Sequence, residues 1–228
     1  KTVLAVQKAK LLSETGTVLF LCFNRFLKDH LQDAYSGESG ISFYTLDGLL
    51  ARYTSHFSQD PTERSEMITE FLMDWDKYEI PFRHIVIDEG QDFQDEHLQL
   101  LHTIAKGKGG CFYVFYDKNQ FIQGLTYAQW LDQMECRLVL SRNCRNTKEI
   151  AVTSTRPIGL EESRIKMRRE FNNSSAWKPN LFFVDDEPSL QDHLAKLLKK
   201  YTSAGIAAKD IVVLSMKPEG KSIIQQSD

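Results

Sequence analysis

The most constraining feature of the sequence is the segment Ile85–Phe93, in which three β-branched residues lead directly into two carboxylates. A continuous apolar run of this kind predicts a strand that is buried on both faces, as in a parallel sheet. Asp88 and Glu89 would then lie at the carboxyl end of that strand, where open α/β sheets bind their ligands. Such a pair suits a hydrated Mg²⁺ beside a nucleotide phosphate, with the second carboxylate orienting or deprotonating a water molecule. An ordinary strand followed by a polar turn is the alternative, but the full block Asp-Glu-x-Gln-Asp favours ATP hydrolysis.

Strand-length apolar runs alternate with helical patterns along the first part of the chain, which predicts an α/β fold with a parallel, doubly wound sheet. Strands are expected at residues 17–23, 41–44, 84–88, 111–116 and 137–140. After Asn146 the pattern loosens, and two further strands are expected at 181–184 and 211–214, around a helix at 190–201. We therefore predict a first domain over residues 1–141, with a small helical insert at about 50–80, and a partial second domain over 142–228.

The bulk properties limit the classes of partner and location. A formal net charge of -3 provides no global basic field, so binding to nucleic acid would require a local patch. No apolar stretch approaches the roughly 20 residues of a membrane span, and no signal-peptide pattern opens the chain. The cysteines include no C-x-x-C pair, which favours reduced thiols and a cytoplasmic protein. Because the chain starts at Lys1 without an initiator Met, we expect a piece of a longer polypeptide with further domains.

Three other segments carry residue types that fit the same chemistry. Lys1 and Thr2 open a helix, as do the last two residues of a phosphate-binding loop. Gln120 follows a second strand that ends in an acid, although the alternative for residues 117–119 is a simple turn. Arg145 follows an expected strand and could act as an arginine finger, although a surface ion pair is the plainer interpretation.

In this order the segments resemble the motifs of superfamily 1 helicases of the UvrD/Rep type, including the smaller bacterial helicase-like ATPases. The likeness covers residues 1 to about 150, and more weakly 180–215. The matching segments are Lys1-Thr2 (end of Walker A), Val18–Arg25 (motif Ia), Thr45–Gly48 (motif Ib), Asp88–Asp92 (motif II), Asp117–Gln120 (motif III) and Asn143–Arg145 (motif IV). The start of Walker A and motifs V and VI have no counterpart in the chain. The resemblance implies a P-loop NTPase fold, with one RecA-like domain and part of a second.

The resemblance also implies ATP and Mg²⁺ as cofactors. Lys1 would bind phosphate, Thr2 and Asp88 would hold Mg²⁺, and Glu89 would activate the attacking water. As the chain stands, we expect little or no ATP hydrolysis, because the phosphate loop and the second-domain motifs are missing.

The remaining roles concern coupling and the nucleic acid. By the same resemblance, Gln91 and Gln120 would couple the phosphate state to contacts with single-stranded DNA or RNA, and Arg145 would contact the γ-phosphate. Aromatic stacking and phosphate contacts give sequence-tolerant binding on such a path. The residues expected to lie on it are Phe23, Asn24, Arg25 and Thr45.

Two departures from the family pattern keep other functions open. Tyr116 stands where the family usually has Gly, and Cys144 replaces a Tyr that typically stacks on the adenine. The leading hypothesis is an ATP-dependent helicase or translocase on single-stranded nucleic acid. The alternatives are a P-loop ATPase that switches without unwinding, and a catalytically inactive module that binds nucleic acid or protein.

Overall fold

The computed structural model describes residues 1–54, 58–117, 130–131, 134, 136–140, 142–144, 146–155, 159, 165–167 and 179–215. The chain divides into two compact units, Lys1–Val139 and Leu140–Asp228. No helix within the described ranges is long and apolar enough to cross a membrane.

The first unit is a parallel four-stranded sheet flanked by helices, as the alternating pattern predicted. The strands follow the order β2-β1-β3-β4, and every neighbouring pair is parallel. Its elements are α1 (Thr2–Ser13), β1 (Val18–Cys22), α2 (Arg25–Ala34), β2 (Ile41–Tyr44), α3 (Leu46–Tyr53), α4 (Pro61–Met73), a 3₁₀ turn (Trp75–Tyr78), β3 (His84–Asp88), a second 3₁₀ turn (Gly90–Asp92), α5 (Asp95–Gly107) and β4 (Phe112–Phe115).

Helices cover both faces of this sheet, which explains why its central strands are apolar throughout. All five residues of β1 and all five of β3 are buried. One core cluster joins Leu19, Leu21, Ile85 and Ile87 to helices α3, α4 and α5. The other joins the alternate strand residues, among them Phe20 and Val86, to α1 and α2. The period-two alternation of a strand divides its side chains between the two layers.

Side-chain caps fix where two of the helices begin. Asn24 Oδ1 accepts hydrogen bonds from the N–H groups of Phe26 and Leu27 and starts α2. Thr45 Oγ1 accepts from Gly48 N–H at 3.0 Å and starts α3. These bonds satisfy backbone donors that a first helical turn leaves unpaired. Because both caps follow a strand directly, they also fix the chain at the carboxyl edge of the sheet.

The amino end of β3 is held by a buried histidine. His84 Nδ1 accepts a hydrogen bond from Cys111 N–H at 3.0 Å, and its Nε2 lies 3.1 Å from Thr15 Oγ1. With Nδ1 acting as an acceptor, the neutral ring carries its proton on Nε2 and donates it to Thr15. Burial, assisted by the charge of Arg83, lowers the pKa of His84 below its usual value. The neutral ring is therefore part of the folded structure.

The structure corrects three strand predictions, one at the end of the first unit and two in the second. Residues 137–140, 181–184 and 211–214 were expected to be strands, but all lie within the described ranges and none forms one. The elements found instead are a short parallel ladder of β5 (Arg142–Asn143) and β6 (Lys166–Met167), with α6 (Lys148–Thr155), α7 (Glu187–Ser203) and a 3₁₀ turn (Ala208–Asp210). The apolar side chains of the expected strands are largely exposed, for example Phe183 at 89% and Leu214 at 88%. An apolar run becomes a strand only when a neighbouring strand takes its hydrogen bonds.

Candidate functional site

A continuous polar network joins the start of α1 to the carboxyl ends of β3 and β4. Lys1 Nζ donates to Asp117 Oδ2 at 2.8 Å, just beyond the end of β4. The Asp117 backbone N–H donates to Gln91 Oε1 at 3.0 Å. Gln91 Nε2 in turn donates to Glu89 Oε2 at 2.8 Å. Three segments that are far apart in sequence therefore meet at one edge of the sheet.

Asp88 is the most deeply buried member of this edge. Its relative exposure is 0%, and neither carboxylate oxygen has a hydrogen-bond partner of good geometry among the described residues. Burial raises the pKa of Asp88, the nearby Thr2 hydroxyl opposes the rise, and the charge of Glu89 adds to it. We interpret Thr2 as adjacent to the carboxylate rather than firmly bonded to it. The two residues expected to share Mg²⁺ are thus neighbours.

Burial is also the main influence on the pKa of the Cys22 thiol, which lies next to Asp88. It raises the pKa of Cys22 to about 12, and the Asp88 charge contributes in the same direction. Cys22 and Asp88 stand opposite each other in the β1–β3 register. The Cys22 thiol therefore stays protonated at neutral pH and acts as a packing residue.

The backbone turns sharply at Glu89. Its φ of 53° and ψ of 48° lie in the left-handed region, which costs an L-residue about 1–2 kcal/mol. Gly90 follows, and a Cβ at this position would lie only 2.3 Å from Val114 Cγ1. The turn therefore packs closely against β4, and it holds the Glu89 carboxylate within reach of Gln91. Backbone strain of this kind clusters at functional sites, and Glu89 lies just beyond the carboxyl end of β3.

The acidic turn is also connected to the next strand end. Phe93 directly follows the 3₁₀ turn, and its ring makes an edge contact with Phe23, with 6.1 Å between the ring centroids. Phe23 lies just beyond β1 and remains 42% exposed. A shift of the Glu89–Asp92 turn would therefore change the packing of the partly exposed Phe23 ring at the sheet edge.

Three of the four residues expected to contact nucleic acid line one open groove of about 790 Å³, which we call the β2 groove. Phe23 and Arg25 enter it from the end of β1, and Thr45 enters it from the end of β2. Arg25 has 86% of its side chain exposed, and its Nε lies 3.8 Å from Asp29. Asn24 and Thr45 have a structural function as well, because both cap helices.

Some of the expected site residues cannot be placed, and one additional residue emerges. Gln120 and Arg145 lie outside the described residues. Among the described residues, no group of three or more His, Cys, Asp or Glu side chains could hold a metal ion. Mg²⁺ does not require such a group, since one or two carboxylates plus substrate phosphates suffice. Asp117, which joins Lys1 to Gln91, was not predicted as a site residue, although its place after a strand was a signal.

No family model matches this sequence, and no curated protein matches it at a significant level. Functional inference therefore depends on the residues and geometry of the chain itself.

Proposed function

We propose that this chain is part of an ATP-dependent helicase or translocase that acts on single-stranded nucleic acid. In this proposal the first unit is a RecA-like P-loop NTPase domain and the second unit begins another. The observation that carries it is the meeting of Asp88 and Glu89 with the first turn of α1 at the carboxyl edge of the sheet. That edge is where open α/β sheets bind nucleotides.

The buried carboxylate supports the assignment of Mg²⁺. A carboxylate without exposure is costly to ionise even with the Thr2 hydroxyl and the Glu89 backbone N–H beside it, and a cation is a partner that relieves the cost. Asp88 and Thr2 would hold the ion, which would neutralise charge on the phosphates of ATP. Lys1 would exchange Asp117 for a phosphate oxygen, since the carboxylate with which its ammonium group pairs is partly exposed.

Glu89 would act as the general base. Its carboxylate is intermediate in exposure and is oriented by the Gln91 amide, so it can accept a proton from water without losing its position. Gln91 also contacts the end of β4, so a change at the phosphates would alter both strand ends together. The Phe93–Phe23 contact gives this change a route to the β2 groove.

The first experiment measures Mg²⁺-dependent binding of a fluorescent ATP analogue to the 228-residue chain. We expect binding that requires Mg²⁺ in the wild type and loses this requirement in Asp88→Asn. Asp33→Asn, which removes an exposed carboxylate on α2, is the matched control and should bind as the wild type does. An Asp88→Asn variant with unchanged Mg²⁺ dependence would contradict the assignment of the metal.

The second experiment measures binding of an oligothymidylate as the salt concentration is varied. Arg25→Ala should weaken binding and reduce the slope of log K against log salt by about one. Lys106→Ala, on the exposed last turn of α5, is the control. The absence of salt-dependent binding in the wild type would favour the switch without unwinding.

One observation favours the non-catalytic binding module as the second candidate. Tyr116 and Cys144 depart from the residues usual in the resembled family, which weakens the case for catalysis more than the case for binding. Glu89→Gln distinguishes the two functions. Hydrolysis is measured on this chain extended by a phosphate loop and a complete second domain, since the chain as it stands is expected to hydrolyse little ATP. In an ATPase Glu89→Gln should then lower hydrolysis at least about 100-fold and leave nucleotide binding intact. In a module oligothymidylate binding persists and neither extended protein hydrolyses ATP.

A further inference from the structure

The β2 groove runs along an open edge of the sheet. Strand β2 stands at one end of the strand order, and no other strand in the described part of the chain pairs with its outer side. All four residues of β2 line the groove, together with the face of α2 that carries Arg25, Lys28 and Gln32. The start of α3 lines the opposite side. A groove with a strand edge as its floor offers backbone hydrogen bonds as well as side-chain contacts.

The free backbone groups of β2 follow from its pairing with β1. Val18 N–H donates to Gly40 O at 2.9 Å, so Gly40, Ser42 and Tyr44 direct their bonding groups toward β1. The intervening residues therefore direct theirs outward. The Ile41 N–H is already used by Glu38 O at 3.2 Å. This leaves the N–H and C=O of Phe43 facing the groove.

The α2 wall of the groove carries excess positive charge. Arg25 and Lys28 lie one helical turn apart and share a single carboxylate, Asp29, at 3.8 Å and 2.5 Å. The side chain of Lys28 also reaches Gln32 Oε1 at 3.2 Å. Two cations with one counter-charge favour an acidic ligand on this side.

The acidic residues of the groove do not remove this excess. Glu38 pairs with Lys10 Nζ at 2.5 Å, and Asp47 lies 3.4 Å from Arg64 Nε, which is ion-pair distance without a hydrogen bond. Each of these carboxylates thus has its own cation, and both cations lie outside the groove lining. The groove therefore has one basic wall and an acidic group at each of two other points.

We propose that the β2 groove binds an extended acidic segment of a partner protein, which adds to the sheet as a strand beside β2. A peptide backbone supplies both a donor and an acceptor, and so satisfies both outward groups of Phe43. A nucleic-acid backbone carries only acceptors along its phosphates, so it can pair with the outward N–H of Phe43 but leaves the outward C=O of Phe43 unsatisfied. This function is separate from nucleotide binding and does not depend on it.

The faces of β2 specify the side chains of the partner. Ile41 and Phe43 pack into the core layer of α1 and α2, whereas Tyr44 packs in the opposite layer against Phe82, with 6.3 Å between ring centroids. An added strand continues both faces. Its residues on the α2 side would be carboxylates that meet Lys28, and those on the other side would be apolar.

The test uses a short, capped synthetic peptide in which valine alternates with glutamate. Isothermal titration should show binding to the wild-type chain, and hydrogen exchange should show protection of the Phe43 amide. A matched peptide with lysine in place of glutamate should bind at least about fivefold more weakly. A glutamate peptide whose backbone amides are N-methylated should not protect Phe43.

Two protein variants separate charge recognition from the fold. Lys28→Glu should weaken binding of the glutamate peptide and improve binding of the lysine peptide, which a misfolded protein would not do. Lys106→Glu makes the same change of net charge on α5, outside the groove, and should leave both affinities unchanged. Binding of the N-methylated peptide as tight as that of its parent would overturn the proposal. So would protection of Phe43 by oligothymidylate with none from the glutamate peptide.

Discussion

Replacement of Asp88 by Asn tests the central feature of the candidate site, a fully buried carboxylate whose ionisation burial opposes. The wild-type side chain is 0% exposed, and its two oxygens have no hydrogen-bond partner of good geometry within the described residues. Asn has nearly the same shape but no charge. The substitution therefore removes the charge and leaves the packing around β3 unchanged.

The expected gain follows from the cost of an unsatisfied buried group. That cost is about 1–3 kcal/mol for a neutral group and more for a charged one. Asn still leaves a buried neutral polar group, so the gain is only the difference between the two costs. In the absence of divalent cations, Asp88→Asn should therefore raise the free energy of unfolding at neutral pH, by about 1.4 kcal/mol for each unit by which the folded-state pKa of Asp88 lies above 3.8. For a chain of this size each kcal/mol corresponds to a rise in Tm of roughly 2–4 °C.

The pH dependence gives the sign a second check. Burial raises the pKa of Asp88 in the folded state above 3.8. Below pH 3.8 the carboxyl group is protonated in both the folded and the unfolded state, and its burial costs least. As the pH rises through the folded-state pKa, the buried group ionises and the free energy of unfolding falls. The advantage of the Asn variant should therefore grow with pH and vanish in acid.

Urea unfolding at neutral pH and below the ordinary aspartate pKa measures both effects. Asp33→Asn, at an exposed position of α2, is the control and should change stability little. At a fixed ATP concentration, addition of Mg²⁺ should stabilise the wild type and not Asp88→Asn. If Asp88→Asn lowers stability at neutral pH, the carboxylate has a partner within the fold and the reasoning fails.

Three further predictions concern the same strand and its turn. Gly90→Ala should lower the free energy of unfolding by about 1–3 kcal/mol, because its methyl group would meet Val114. Gly107→Ala is the control: a methyl group there meets nothing within 4 Å at the end of α5, so the free energy of unfolding should change little or rise. Glu89→Gly should stabilise the chain by roughly 1 kcal/mol in urea unfolding, since glycine adopts the left-handed conformation freely, and a loss of stability would show that the Glu89–Gln91 bond outweighs the strain. Stability should fall as the pH drops from 6.5, the ordinary histidine pKa, through the lowered folded-state pKa of His84. His84→Asn should flatten that part of the stability profile. An unchanged profile in this variant would exclude His84 as the source of the pH dependence.

Much of the first unit could be predicted from local patterns. The bounds of β2 and β3 agree with those expected, because each is set by an apolar run that is local in the sequence. The meeting of strand ends at one edge also followed from the parallel order. The expected strands at 137–140, 181–184 and 211–214 failed for the opposite reason, since their pairing depends on residues elsewhere in the chain.

The details of the candidate site could not be predicted in this way. The sequence places Gln91 near Glu89, but nothing local indicates that its carbonyl takes the N–H of Asp117. Nor does the sequence indicate the left-handed backbone of Glu89, because that conformation is rare for glutamate. Both features arise from the close packing of the turn on β4, which is a tertiary property.

Strand β3 carries two titrating groups at opposite ends, and this separation has a practical value. The neutral ring of His84 anchors the amino end, and the Asp88 carboxylate occupies the other. His84 and Asp88 are four residues apart on the strand, about 13 Å, and neither group contributes to the shift in the other's pKa. Acid tolerance could thus be engineered at the histidine, while the Asp88 end keeps its own titration.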